Sequence, residues 1–415
     1  MVPNGWELKK LEDLCRPEAP ITYGVLKPGE FYKGGIPLLQ IKDLRDGHPL
    51  TGDTHLISPA LDEEYKRSRI LNNDILISLV GTIGRIAKYR DDTAANIHRN
   101  IGRIRSDNHE YLFHFLNSNY AQNEIGGSSS GSSQSALNLS TLRSMKIPVP
   151  PLPEQKEIAK ILSTWDKAIN ISEQLLANSQ QQKKTLLQKL LTGRNRLGVP
   201  AGSYELQQTR FGAIPKDWEY PAIKDICTQV SEKNRESINH PVLSCSKHDG
   251  FVDSLKYFNK KVYSDDTSDY RLIYRGCFGF PSNHIEEGSI GLQNLYDTGI
   301  VSPIYVVFQA KQSKVDNTYL YAVLKTDHYR QIFGAATNAS VDRRGSLRWK
   351  EFGMIHVPLP PLKEQQKIAA VLSAADLEVT ILQQKLDALK QEKKALMQQL
   401  FTGKRRVKHN NKEIA

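Results

Sequence analysis

Two stretches of this 415-residue chain repeat apolar side chains at alternating steps of three and four. The first stripe carries Ile158, Leu162, Trp165, Ile169, Leu176, Leu186 and Leu190. The second carries Ile368, Leu372, Ala375, Val379, Leu382, Leu386, Leu389, Leu396 and Leu400. Such steps gather side chains on one face of an α-helix as a heptad seam. Pro153 and Glu154 suit a first turn, and Gly193 and Gly403 suit a stop just past each helix end. At about 1.5 Å per residue, a helix from Glu154 to Thr192 spans roughly 58 Å. A helix of that length with one apolar stripe requires a partner, and the chain supplies a matching one. The two are expected to pair antiparallel through these seams. Each seam holds one lysine at the same place, Lys183 and Lys393, and a polar seam residue can set register. If the helices cross at their midpoints, Lys393 is expected over the Trp165 ring.

The remaining sequence has a different rhythm. IPLLQI (36–41), DILISLVG (74–81), YRLIYRGCFGF (270–280) and SPIYVVF (302–308) are short runs broken by Gly, Pro, Asn and Asp, as expected for strands and turns. EYLFHFLNSNY (110–120) and TYLYAVLKTDHYRQIF (318–333) predict a helical segment near the end of each region. The small-residue stretch 126–137 and its counterpart 334–347 read as loops. The fold class is therefore α/β (α+β): two globular domains with two long antiparallel coiled-coil helices and an internal pseudo-two-fold repeat. The expected boundaries are 1–151 for the first domain, 152–196 for its helix, 197–212 for a linker, 213–361 for the second domain, 362–406 for its helix and 407–415 for a basic tail.

The repeat is explicit in the letters. PPLPEQKEIAKIL at 150–162 returns as PPLKEQQKIAAVL at 360–372, a shift of 210 that holds through Thr192-Gly193 and Thr402-Gly403. Trp6, in PNGWELKKLEDLC, matches Trp218, in PKDWEYPAIKDIC, at a shift of 212. Two copies of a unit this long point to duplication of a domain-plus-helix module, not a solenoid. The Glu154-Gln155 and Glu364-Gln365 pairs open helices, where capping and dipole roles suffice.

A formal net charge of +11 favours a polyanionic partner, nucleic acid first. Hydrophobic residues make up 39%, enough to fill cores. No secretory signal or spanning apolar run stands out, so a cytoplasmic chain without membrane contact is expected. The four cysteines, Cys15, Cys227, Cys245 and Cys277, form no CxxC pair and read as buried, reduced thiols.

Longer catalytic motifs are missing. The chain has no GxxxxGK[ST] phosphate loop, no strand-to-helix GxGxxG, no Asn/Asp-Pro-Pro-aromatic string of an amino-methyltransferase, and no HExxH or GxSxG. Neither catalytic residues nor metal ligands are assigned. Asp265-Asp266 reads as a solvated turn.

With these pieces in place the chain resembles the specificity subunit of type I restriction–modification enzymes. The resemblance is carried by Ile147 to Leu162 with Leu186 to Arg196, and by Val357 to Leu372 with Leu396 to Arg406. GAIPKDW (212–218) and, more loosely, VPNGW (2–6) resemble the entry into each recognition domain. The resemblance implies a non-catalytic subunit with two target-recognition domains, each reading one half of a bipartite DNA sequence. It implies helices that space the domains and dock methyltransferase (modification) subunits, two in number, with motor–nuclease (restriction) subunits completing the complex. S-adenosylmethionine, ATP and Mg are implied for those partners, and no cofactor for this chain. A subunit serving a fused methyltransferase–nuclease is the neighbouring alternative; a two-headed coiled-coil scaffold binding protein, or an enzyme with an unrecognised site, are alternatives of other classes.

Divergent halves predict an asymmetric target. A spacer of about 58 Å suits readers placed one to two turns apart on DNA with about 34 Å per turn. Candidate DNA contacts are polar or basic loop residues: Tyr23, Lys27, Lys42, Arg85, His98, Arg99 and Gln134 in the first domain. In the second they are Lys247, His248, Asn283, His284, Arg343, Arg344 and Arg348. The Gly81–Arg85 turn favours Arg85, because glycines let backbone approach a partner. Removing the charges of Arg343 and Arg344 is expected to weaken DNA binding and flatten its salt dependence.

Overall fold

The structure is a computed structural model and describes residues 2–45, 48–49, 53–127, 136–200, 202–338 and 345–407. The chain forms two compact units: Met1–Gln174 with Gln383–Ala415, and Leu175–Leu382. These units do not end where the sequence domains were drawn. Each takes one globular domain, the near half of the helix that follows it, and the far half of the other long helix.

In the first unit, an antiparallel four-stranded sheet runs in the order Thr22–Tyr23, Ile101–Ile104, Ile75–Ser78, Ile86–Lys88. The Ile75–Ser78 strand is buried on both faces, which explains its unbroken apolar run. Its side chains still alternate. Ile75 and Ile77 face a core with Trp6, Leu112, Phe115 and Ile147, while Leu76 faces a second core with Tyr89, Ile97 and Ile101. The strand Glu7–Lys10 closes the domain by pairing antiparallel with Lys146–Val149, so the start of the unit is bonded to the exit into its helix.

The second unit repeats this plan with the sheet order Cys227–Val230, Tyr305–Ala310, Cys277–Pro281, Gly291–Leu292. Phe278, Phe280 and Phe308 fill the main core; Cys277 and Val307 turn to a smaller one. The run 270–280 is two strands in different sheets, Arg271–Tyr274 and Cys277–Pro281, broken at Gly276 with φ +83°. Both regions read as single helical segments are helix pairs: His109–Leu116 with Asn119–Gly127, and Asn317–Leu324 with Asp327–Asn338. A hydroxyl punctuates each break. Ser118 Oγ accepts from Ala121 N (3.3 Å) and Thr326 Oγ1 from Tyr329 N (3.4 Å). The stretch read as a linker carries a strand, Leu206–Thr209, paired with Gly212–Pro215.

The two long helices are Leu152–Leu191 and Leu362–Phe401, 40 residues each. Gly193 and Gly403 both have φ +67°, the left-handed stop. In each unit the helix segments pair antiparallel. In the first, Lys393 meets Asp166 and Lys390 Nζ lies 2.7 Å from Glu173; in the second, Lys183 meets Asp376. The expected stack of Lys393 on Trp165 is not formed; the ammonium goes to the neighbouring carboxylate of Asp166, where charge and hydrogen bonds are both satisfied.

Among the seam residues, Ile158, Leu162, Leu176, Leu190, Ile368, Leu372, Leu386 and Leu400 are buried. Trp165, Ile169, Leu186, Val379, Leu382, Leu389 and Leu396 are half-buried. The helix ends belong to domain cores: Ile158, Leu162 and Leu400 join the first, and Leu190, Ile368 and Leu372 the second.

Candidate nucleic-acid interface

A recognition module needs readers held rigidly, and the holding parts are clearest. Glu154, at the start of the first long helix, is 3% exposed. It accepts from Trp6 Nε1 (3.1 Å) and from Arg406 Nε and Nη2 (2.7 and 2.9 Å). Arg406 also donates to the carbonyl of Asn4 (2.9 Å) and stands 5.7 Å over the Trp6 ring. The second unit builds the same clamp. Glu364 accepts from Trp218 Nε1 (3.3 Å) and from Arg196 Nε and Nη2 (2.9 and 2.6 Å). Arg196 adds a forked pair to Asp217, both bonds 2.9 Å.

Helix capping therefore understates the Glu-Gln pair. The glutamate is the acceptor that joins a domain's entry, its exit helix and the end of the other helix. The glutamine locks the proline exit: Gln155 Nε2 donates to Pro150 O and Gln365 Nε2 to Pro360 O, both 2.8 Å. The arginines escaped the list of candidate residues, although both follow Thr-Gly at the repeat shift.

The candidate DNA contacts sort into groups. Tyr23 is half-buried, with Arg67 5.8 Å over its ring. Its strand lies beside the segment carrying His98 and Arg99: Arg99 N donates to Val25 O (2.9 Å), and Asn100 N donates to His98 Nδ1 (3.3 Å). Burial pushes the His98 pKa down. Arg99 and Lys27 are both exposed. Arg85 is exposed but spends its Nη1 on Ile41 O (3.3 Å) and Leu44 O (3.2 Å), tying its turn to the one bearing exposed Lys42. That bond gives Arg85 a positioning part beside any DNA contact.

In the second unit Lys247 and His248 sit exposed on the turn between Leu243–Ser246 and Gly250–Asp253. Asn283 is half-buried, His284 exposed, and Arg348 exposed at the N-cap of Trp349–Phe352. Gln134, Arg343 and Arg344 lie outside the described residues.

His284, Glu286 and Glu287 bring one ligand atom each within 4.8 Å of one another, but His284 and Glu287 are exposed and already lie 3.4 Å apart as a pair. Burial pushes the Cys15 thiol up to about 11 and those of Cys227 and Cys245 up to about 12, so they are protonated and poor nucleophiles near neutrality. An open cavity of about 960 Å³ in the first unit is lined by Glu110, His114, Asp166 and Lys393; Asp166 already meets His114 and Lys393, and Glu110 meets Lys88. No helix among the described residues is long and apolar enough to cross a membrane.

Comparison with known proteins follows the same duplication. The signature described as "Type I restriction modification DNA specificity domain" matches residues 3–178 and again 215–391. The chain is 26% identical over 432 residues to the putative type I restriction enzyme MjaX specificity subunit of Methanocaldococcus jannaschii, covering 98% of this chain and 95% of that protein. It is 31% identical over 195 residues to the type I restriction enzyme EcoBI specificity subunit of Escherichia coli, covering 46% of this chain and 41% of the other. In fold it is similar to the crystal structure of a type I restriction–modification system S subunit from M. genitalium, with TM-score 0.57 and 15% identity over 97% of this chain and 98% of that one. With two copies of the domain spanning most of its length, the chain belongs to the type I restriction modification DNA specificity family.

Proposed function

We propose that this chain is the DNA sequence-specificity subunit of a type I restriction–modification complex. The observation that carries the reading is the doubled specificity domain at 3–178 and 215–391, each copy leading into a helix closed by the same arginine–glutamate–tryptophan clamp. Each domain reads one half of a bipartite target through base-edge contacts, while phosphate contacts fix register. The helices set the spacing and dock the partners. Two equivalent units offer two equivalent docking places, which supports two methyltransferase subunits, with motor–nuclease subunits joining them. The chain itself holds no catalytic group in this reading and works in the cytoplasm. S-adenosylmethionine, ATP and Mg belong to the partner subunits.

The test is a map of methylated adenines in the host genome with and without this gene. Loss of one asymmetric bipartite motif on deletion is the expected result. An unchanged map, with the partner subunits expressed, would overturn the assignment.

A further inference from the structure

The second unit exposes a dense apolar segment that belongs to none of its core clusters. Within eight positions of the second unit, Leu255 is 52% exposed, Tyr257 49%, Phe258 43% and Val262 45%. Lys256, Lys260 and Lys261 are interleaved with them, and no acidic residue stands between Ser254 and Tyr263. Clusters of this kind on a folded surface mark a contact, and the chemistry of the neighbours tells which. The cores of protein–protein interfaces are depleted in lysine. DNA interfaces are strongly basic, and apolar side chains enter them as wedges or against thymine methyl groups.

The segment is also held in place. Asp253 caps the helix Ser254–Phe258 by accepting from Lys256 N (3.1 Å), and Asn259 ends it with φ +51°. Tyr257 donates its hydroxyl hydrogen to Asp249 Oδ2 (3.1 Å), and its ring meets that of Phe258 edge-on, centroids 5.1 Å apart. Asp249 belongs to the turn that exposes Lys247 and His248, so one surface joins the aromatic pair to two candidate contacts. Lys261 pairs with the exposed Asp265, whereas Lys260 has no ion pair among the described residues.

We infer that Tyr257 and Phe258 are base-contacting residues of the second domain on double-stranded DNA, with Lys260 and Lys261 on the flanking phosphates. This assignment rests on the specificity-subunit reading above.

The experiment uses the full chain co-produced with its modification subunits in a host lacking adenine methylation. The motif methylated by the wild type is mapped, and binding is measured on a fluorescein-labelled duplex carrying it. Tyr257→Ala/Phe258→Ala is expected to bind at least tenfold more weakly, with base preference lost in one half of the motif and the salt slope unchanged. Lys260→Ala/Lys261→Ala is expected to keep the motif and to reduce the salt slope by about two, near 0.9 for each phosphate released. Melting curves check folding; Phe258→Ala alone, which removes no hydrogen bond, serves if the double variant melts early. Wild-type affinity, slope and motif in both variants would overturn the assignment. So would a loss of bound modification subunit with DNA binding intact, which makes the patch a protein surface. A wild-type complex with no methylated motif and no duplex preference fails the parent reading instead.

Discussion

Arg406 and Glu154 stand 252 residues apart in the chain and are joined by two hydrogen bonds, Nε to Oε1 at 2.7 Å and Nη2 to Oε2 at 2.9 Å. The far end of one long helix is thereby fastened to the near end of the other and to Trp6. Arg196 and Glu364 repeat the fastening in the second unit. Arg196 is 7% exposed against 43% for Arg406, and it holds Asp217 as well as Glu364, so its loss strands two carboxylates where the loss of Arg406 strands one. Removing an arginine leaves a buried carboxylate without its counter-charge, which is strongly destabilising when the site is dry. Arg406→Ala is expected to destabilise by about 2 kcal/mol and Arg196→Ala by about 3–4 kcal/mol. Urea unfolding of the two variants checks the order; a larger loss for Arg406→Ala would reverse it.

The lysine in each seam leads to a second comparison. Lys393, 16% exposed, pairs with Asp166; Lys183, 33% exposed, pairs with Asp376, itself 59% exposed. Solvent weakens the second pair more than the first. Asp166→Ala is therefore expected to lower stability by about 1–2 kcal/mol, and Asp376→Ala by about 0–1 kcal/mol. Double-mutant cycles with the lysines isolate each coupling. Equal couplings would mean that burial does not set their strength.

The long helices and the pairing seams were legible because their periodicity is local and repeats at fixed spacing. Ile158 and Leu190 needed no tertiary knowledge to be placed on an apolar face. The clamps were half legible: the letters show Trp6, Glu154 and Arg406 with their repeat mates, but not that Glu154 accepts from both others, since that depends on distant segments meeting. Arg85 shows the opposite limit. Its glycine-flanked turn suggested a DNA contact, but the letters held no sign that two backbone carbonyls also take its Nη1. Tyr257 and Phe258 were invisible as surface residues because an aromatic pair in a short run reads as core until burial is known.

The cysteines give a chemical prediction. With thiols held up to about 12 at Cys227 and Cys245 and about 11 at Cys15, the thiolate fraction at neutral pH falls at least a hundredfold below that of a free cysteine. Iodoacetamide at pH 7.5 is expected to label the native chain only slowly and the urea-unfolded chain fully. Rapid labelling of Cys245 in the native state, read by mass spectrometry, would show that its surroundings open to solvent.

His114 makes the first unit acid-sensitive. Its side chain is 2% exposed, with Nε2 3.1 Å from Ser163 Oγ and Nδ1 3.6 Å from Asp166 Oδ2. Burial pushes its pKa from the ordinary 6.5 down to about 4, with Lys393 and Lys88 pushing the same way and Asp166 and Glu110 opposing. Because the folded value lies below the unfolded one, the unfolded chain takes up the proton first. The neutral imidazole's contribution is complete above about 6.5 and is lost as pH falls toward 4, with a slope of about 1.4 kcal/mol per pH unit. Between pH 7.5 and 5.0 the wild type is expected to lose about 2 kcal/mol through this group. His114→Gln keeps an amide beside Ser163 and carries no titrating proton, so its urea midpoint is expected to fall by less than half as much. A midpoint that falls as steeply in the variant would move the acid sensitivity to another group. Glu110 is next in line: its carboxyl is held below the ordinary value beside Lys88, so its contribution disappears only as pH falls below about 4.5.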